Sequence, residues 1–516
     1  MKKRQLQALA LAALMAASTL TACGSSGSST STTAKSSDGS ESGEEVDTSI
    51  DMEGEPYTVN FLYLVAMEGS DQQAVNEAVN ELTMKELNMK VNMIPMTFGT
   101  YNNQLSLMLS SGEPLDIFAG FSGQFATYIA SDYIINLDDY SEYTKDIYEV
   151  MGEEDADAGH MGDFLVGFSN MKERSYPAGL ICRKDIFEEL GFSLDDFNVT
   201  VDDYSSFDKI TELFAAVHEA YPDMVVFDGT STMGIQTESY GDNMGNVYGY
   251  LENYGQTTTV TNWFESEQYR KFAEINREWF QAGYTSKDIA TNTDSGELKV
   301  KAGNCFSYIT NVKINTDVEK LAQTGYEVVV IPLSERMKHT NAVCADLLCV
   351  CSAAEDPVKA VQFLNWSYTS QEFNDLINWG IEGVDWELTE DGMARYPDGV
   401  DASSVGYHND YGFIYPNQFV GHAWEGNPSD IWEQYEVYNE ETPTSQAFGF
   451  FFDATEVETQ ITQLQSVYDQ YYKMVAFGVV DPDEGIQEFN DALYAAGLQD
   501  VIDAKQAQLD EWLAAQ

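Results

Sequence analysis

The chain has 516 residues, 43% hydrophobic and 13% aromatic, enough for several domains with large cores and too apolar for a wholly disordered protein. Asp and Glu number 85 against 26 Lys and Arg, a formal charge of −59. That excess excludes a nucleic-acid binder, which must neutralise phosphates, and electrostatic docking on an anionic lipid surface.

Met1-Lys2-Lys3-Arg4 is a basic start, and residues 6–20 are apolar. This run is too short for a permanent bilayer span and has the flanks of a secretory signal. It ends in Leu20-Thr21-Ala22-Cys23, a lipobox pattern in which small residues suit a peptidase and the Cys23 thiol accepts the lipid. Residues 1–22 are therefore expected to be a signal peptide, Cys23 the lipidated N-terminus, and 23–55 a disordered Ser/Gly-rich and acidic tether. A globular body held by a lipid on the extracytoplasmic face of a bacterial cell membrane is the first functional expectation.

Strands and helices then alternate. Residues 57–64 (YTVNFLYL) read as a strand, followed by Ser70 and Gln73 as a capping box and by Val75, Val79 and Leu82 at helical spacing. Residues 91–96 read as a strand, 101–111 as a helix closed by Gly112, and 115–119 as a third strand. This alternation predicts a parallel sheet. Further on, Phe207, Ile210, Phe214, Val217 and Tyr221 mark an amphipathic helix, and 225–227 a short strand. Residues 228–262 are Gly-, Asn- and Tyr-rich without period, and Tyr269, Phe272 and Trp279 mark another helix. Strands are expected at 305–310 and 326–332, with an apolar run at 342–351. Asp356-Pro357 is an N-cap with Pro at the first helical position. From Thr455, in a capping box with Glu458, the chain reads as helical to its end, with helices at about 483–496 and 498–514.

Beyond Cys23 five cysteines remain, Cys182, Cys305, Cys344, Cys349 and Cys351. An odd number cannot all pair, and Cys349 and Cys351 share one strand face, so buried core thiols are expected. No zinc-like Cys/His spacing and no complete calcium loop occurs, so no metal or cofactor is expected. H-E-x-x-H, G-x-S-x-G and the phosphate-binding G-x-x-x-x-G-K-[ST] are absent, and the five His are scattered.

The motif order resembles one family. Residues 109–117 (LSSGEPLDI), 133–140 (YIINLDDY), 178–191 (AGLICRKDIFEELG) and the helix at 356–370 resemble segments of the extracellular solute-binding proteins of bacterial ABC importers, family 1-like. Gly380-Ile381-Glu382-Gly383, Asn417-Gln418-Phe419, Gly449-Phe450 and the closing helices resemble the LipO-type lipoprotein subgroup, which has its own C-terminal domain. The resemblance implies an α/β, two-lobed, hinged fold of the type II periplasmic-binding-protein kind with a helical C-terminal extension. Its expected division is an N-terminal lobe of 56–170 plus 305–365, a C-terminal lobe of 171–304 plus 366–450, and a helical region at 451–516. It implies binding without chemistry: a carbohydrate, commonly an oligosaccharide and in some relatives one bearing uronic acids, held between lobes and delivered to an ABC permease. The acidic charge favours a neutral oligosaccharide, and a monomer is expected because no dimer signature stands out. A surface glycoside hydrolase, or a sensor or adhesin without transport, remains the alternative.

Ligands in doubly wound lobes sit at the carboxyl ends of strands, and a sugar needs flat rings for its C–H face and short polar groups for its hydroxyls. The loops that meet both demands nominate Glu68, Phe121, Tyr176, Asp242, Asn243, Trp379, Glu382, Tyr415, Asn417 and Gln418 as the ligand-binding set.

Overall fold

The computed structural model describes residues 47–65, 69–409 and 414–516, so Cys23 and Glu68 lie outside the described residues. Residues 48–516 form one compact unit. Its long strands fall into two sheets. The first contains β1 (Tyr57–Leu64), β2 (Met89–Met96), β3 (Ile117–Phe121) and β4 (Phe168–Ser169). The second contains β5 (Ala178–Arg183), β6 (Val225–Phe227), β7 (Cys305–Asn311) and β8 (Val328–Pro332). A last strand, β9 (Asp346–Val350), returns to the first sheet.

The first sheet has the order β2-β1-β3-β9-β4 and the second β8-β5-β7-β6. β1, β2 and β3 are parallel, as the alternation predicts. β9 is antiparallel to β3 because the chain returns to this sheet from the second one and so enters from the opposite end. The apolar run at 342–351 splits into a helical turn, Thr340–Cys344, and β9. A short apolar run has no period to decide between the two.

Each sheet has its own core. The first draws on residues between Val59 and Phe168 and again between Val343 and Tyr415. The second draws on residues between Ala178 and Leu333 and again between Ala447 and Leu509. The expected division placed 305–365 with the first lobe and 366–450 with the second. The structure differs, because β7 and β8 both pair with β5, whereas Phe373, Ile377 and Tyr415 pack in the first core; within 305–365, Val343 to Leu364 pack in the first core as expected. Strand character is local, but choice of sheet is set by partners more than a hundred residues away.

Local chemistry explains most element ends. The helix Gln72–Glu86 buries Val75, Val79 and Leu82 on one face. Its N-cap is Asp71 with no side-chain cap, and Gln73 donates to Glu77 at 2.9 Å instead of closing a box with Ser70. Asp356 does cap Pro357–Ser367, accepting the Lys359 N–H at 3.2 Å. Thr455 bonds Asp453, and the helix Glu458–Ala476 starts without a side-chain cap. That helix ends before Gly478, whose φ is +67° and whose added Cβ would lie 2.3 Å from the Arg277 nitrogen. Only glycine tolerates both conditions.

The helices Glu458–Ala476, Pro482–Ala495 and Leu498–Ala515 are integral to the second core rather than a tail resting on it. Leu464, Phe489, Leu493, Leu498, Val501 and Leu509 are inaccessible there. Each such side chain contributes about 1.5–3 kcal/mol of burial. All five described cysteines are free and buried. Burial pushes the Cys305 thiol up to about 12. Among the described residues no helix is long and apolar enough to cross a membrane.

Candidate functional site

The pairing register fixes where the two sheets face each other. In the first sheet Phe121 ends β3 opposite Asp346, which begins β9, so Ser169, Phe121 and Asp346 share the carboxyl edge. In the second, β7 and β8 end where β5 begins, and β6 runs parallel to β7 but stops short, with Phe227 level with Ser307. The crossings at 170–177 and 333–345 therefore join one carboxyl edge to the other. They lie side by side, for the Met337 N–H donates to Ser175 Oγ at 2.9 Å. A third segment runs beside them: Lys338 and Ser445 exchange a backbone bond at 2.8 Å, and Asn439 Oδ1 accepts the Arg174 N–H at 2.8 Å. The cleft between carboxyl edges is where ligands of open α/β sheets bind.

Polar groups from both sides meet in this cleft. Ser122, just past β3, donates to Asn341 Oδ1 at 3.4 Å. Asn341 Nδ2 donates to Glu238 Oε1 at 2.9 Å, and Asn243 Nδ2 donates to the same oxygen at 2.9 Å. Glu238 and Asn243 belong to the second body, Ser122 to the first. Beside them Ser239 Oγ donates to the Tyr176 carbonyl at 2.9 Å. A cavity of 370 Å³ opens here, lined by Ser122, Gly123, Asn246, Asn341 and Phe451. A groove of 1040 Å³ adjoins it and shares Ala126, Met161, Phe450 and Phe451. These volumes fall in or near the range of about 300–1,000 Å³ usual for small-molecule sites.

The crossings carry a buried charge network. Lys172 Nζ lies 3.7 Å from Asp346 and 5.8 Å from the Tyr176 ring centroid. Burial works against the Lys172 ammonium, but Tyr176, Asp346 and Glu173 outweigh it and raise its pKa. Burial raises the Asp346 pKa, opposed by Lys172 and by Asn170, which donates at 2.6 Å. Arg174 Nε meets Asp155 at 2.8 Å, Lys338 meets Asp155 at 3.0 Å, and Lys313 meets Glu173 at 3.5 Å. Each of these cations already has an acid, so none offers an uncommitted charge to an anionic ligand.

Of the residues nominated from sequence, Phe121, Tyr176 and Asn243 lie next to this cleft without lining its cavity: the Phe121 ring meets Tyr101 edge-on at 5.8 Å, the Tyr176 ring faces Lys172, and Asn243 is buried on Glu238. Asp242 adjoins it, but its carboxylate turns inward, accepting the Met244 N–H at 2.8 Å and the Ser445 hydroxyl at 2.7 Å. Trp379 is packed in an aromatic cluster with Trp386 and Trp424, its indole N–H on the His422 carbonyl at 2.9 Å. Glu382 is exposed and lines a separate depression with Ala78 and Trp386. Tyr415 is buried, its hydroxyl bonded to the Leu64 carbonyl and Asn409. Asn417 is buried on the Tyr368 carbonyl at 2.9 Å, and Gln418 follows it in a single helical turn, half-buried, its N–H on the Met171 carbonyl. Sequence reasoning missed Glu238, Asn341 and Lys172. Glu238 lies within the same Gly- and Tyr-rich stretch, 228–262, that supplied Asp242 and Asn243; Asn341 and Lys172 carry no local signal.

Comparison with known proteins adds the following. A family model described as bacterial extracellular solute-binding protein matches residues 77–382, and a domain of unknown function matches 446–514. A carbohydrate ABC transporter substrate-binding protein of Streptococcus pneumoniae serotype 4 is 22% identical over 448 residues, covering 84% of this chain and 87% of the relative. The crystal structure of the N-glycan transport solute-binding protein NgtS from S. pneumoniae superposes with a TM-score of 0.76 at 18% identity, over 89% of this chain and 99% of that one. The same protein in complex with Man5GlcNAc gives 0.65 at 18% identity, over the same 89% and 99%. The fold is thus that of two-lobed solute-binding proteins, with the helices at the C-terminus.

Proposed function

This chain belongs to the bacterial extracellular solute-binding protein family, and from that premise we propose that it is the substrate-binding subunit of an ABC importer that holds a neutral oligosaccharide between its two carboxyl edges. The carrying observation is the composition of the cleft. Ser122, Glu238, Asn243 and Asn341 offer hydroxyl, carboxylate and amide groups at hydrogen-bond spacing, and Phe121 and Tyr176 stand beside them. One hydroxyl, two amides and one carboxylate suit the polyol edge of a sugar, and the paired cations disfavour a uronate. The relatives' names, a carbohydrate transporter subunit and a glycan-binding protein, point to the same ligand class.

Binding would draw the bodies together about the three neighbouring crossings. Closure replaces water around the ligand with fixed donors and acceptors, and an unmatched polar group then costs about 1–3 kcal/mol, which gives selectivity. No chemistry on the ligand is part of this reading. The lipidated Cys23 and the tether would keep the body beside a membrane permease. Isothermal titration of the purified protein against maltotriose, mannotriose, chitotriose, an oligogalacturonate and a tripeptide tests the proposal. Binding of a neutral trisaccharide is the expected outcome. Tight binding of the oligogalacturonate alone would overturn the charge argument, and of the tripeptide alone the ligand class.

A further inference from the structure

The closing helices reach into the wall of the cleft. The loop from Asp242 to Gly249 forms that wall, with Met244, Gly245 and Asn246 on the cavity and Asn243 on Glu238. Its backbone is irregular: φ is +49° at Met244, +92° at Gly245 and +127° at Gly249. Such a loop pairs few of its own carbonyls, among them Asn243, which accepts the Asn246 N–H at 3.2 Å, and the buried capacity left over needs a donor from elsewhere. The donor comes from the last helix. Lys505 is wholly inaccessible, and its Nζ donates to the carbonyls of Asn243 at 2.7 Å, Asn246 at 2.9 Å and Gly249 at 3.1 Å. Three carbonyls converge on this one amino group, which in its protonated form has three N–H groups to meet them and in its neutral form two. Gly249 permits the approach, since a Cβ there would lie 2.8 Å from Lys505 Cδ. Nearby, Gln465 accepts the Tyr248 hydroxyl at 3.0 Å, and Gln506 accepts the Val260 N–H at 2.7 Å. Burying a lysine costs far more than burying an apolar side chain of equal length. Core filling alone therefore does not account for this residue.

We propose that the closing region, which matches a domain of unknown function, is a brace that sets the second wall of the ligand cleft, with Lys505 as its positioning residue. The proposal rests on reading this cleft as the ligand site. It gives the region a role in affinity as well as in stability: it holds Asn243 and Asn246 in place before the ligand arrives, so that binding does not have to order them.

The test uses the whole protein with Lys505→Met, read in two ways. Without ligand, amide hydrogen exchange in 242–249 should accelerate at least tenfold, while exchange in the helices between 458 and 515 stays within twofold. With the tightest-binding trisaccharide of the panel, the folded variant should bind at least tenfold more weakly. Exchange raised evenly through 458–515, an unchanged loop, or a loosened loop with unaltered affinity would each overturn the brace. Should Lys505→Met not fold, Gln465→Ala removes only an exposed side chain that holds Tyr248. A severalfold acceleration confined to 242–249 then supports the proposal, and none refutes it. If no trisaccharide binds the wild type, the carbohydrate reading fails by itself, and the exchange arm, which needs no ligand, still decides.

Discussion

Replacing Glu238 with Ala probes the cleft most selectively. The carboxylate accepts amides from Asn243 of the second body and Asn341 of the crossing at 333–345, at 2.9 Å each. In a complex it is the only charged group of the Ser122–Asn341–Glu238–Asn243 cluster and the strongest acceptor there for a sugar hydroxyl. A hydrogen bond to a charged group contributes about 1.5–3 kcal/mol, so its loss should weaken binding by roughly 10- to 150-fold. Stability should change little. Only Asn243 is buried among its partners, and one amide left without an acceptor costs about 1 kcal/mol, or a melting shift of roughly 1–3 °C for a chain of this size. Glu238→Gln keeps an acceptor without the charge and should fall between the two. Titration calorimetry with the binding trisaccharide and a thermal scan of each variant give both numbers. A dissociation constant within threefold of wild type, with the melting point preserved, would refute the assignment of this cleft.

Other positions separate structure from binding. Arg174→Met leaves Asp155 facing Lys338 alone and frees the Asn170 carbonyl that Arg174 holds at 2.7 Å, so urea unfolding should show a loss of about 3–5 kcal/mol. A loss under 1 kcal/mol would mean that the crossing network is not a structural hub. Trp379→Ala should cost about 3–5 kcal/mol by emptying its aromatic cluster, yet leave trisaccharide affinity of the folded protein within threefold. A tenfold loss of affinity would move the site toward Trp379. Burial draws Lys505 down from 10.5 to about 7. The native state then holds fewer protons than the unfolded chain between those values, and this group's contribution to stability rises with pH across that window. The buried thiols act in the opposite sense above about pH 8.5, so the wild type is compared with Lys505→Met. The difference in unfolding free energy should climb toward the wild type by as much as about 4 kcal/mol from pH 7 to 10. A flat difference would contradict it.

What could be read from the sequence is what neighbouring residues decide. Val75, Val79 and Leu82 mark a helical face, Asp356-Pro357 marks a start, and the closing helices announce themselves by period. A loop after a strand led to Phe121, a loop near a crossover to Tyr176, and the Gly- and Tyr-rich stretch to Asn243. Long-range choices were not legible. The strands at 305–311 and 328–332 carry nothing that names the second sheet as their own. Asn341 and Glu238 meet across 103 residues, and Lys505 and Asn243 across 262. Trp379 and Tyr415 show the converse limit. Large rings in plausible loops bury so much apolar area that packing claims them first.

The central claim is that a neutral oligosaccharide is held, unaltered, between the two carboxyl edges. Hydrogen exchange of the full protein with and without the binding trisaccharide, followed by mass analysis of the recovered sugar, tests it most directly. The account predicts protection at 121–123, 238–246 and 341 together, on both sides of the cleft, with the sugar intact. Protection confined to one side or lying elsewhere, or a cleaved sugar, would contradict it.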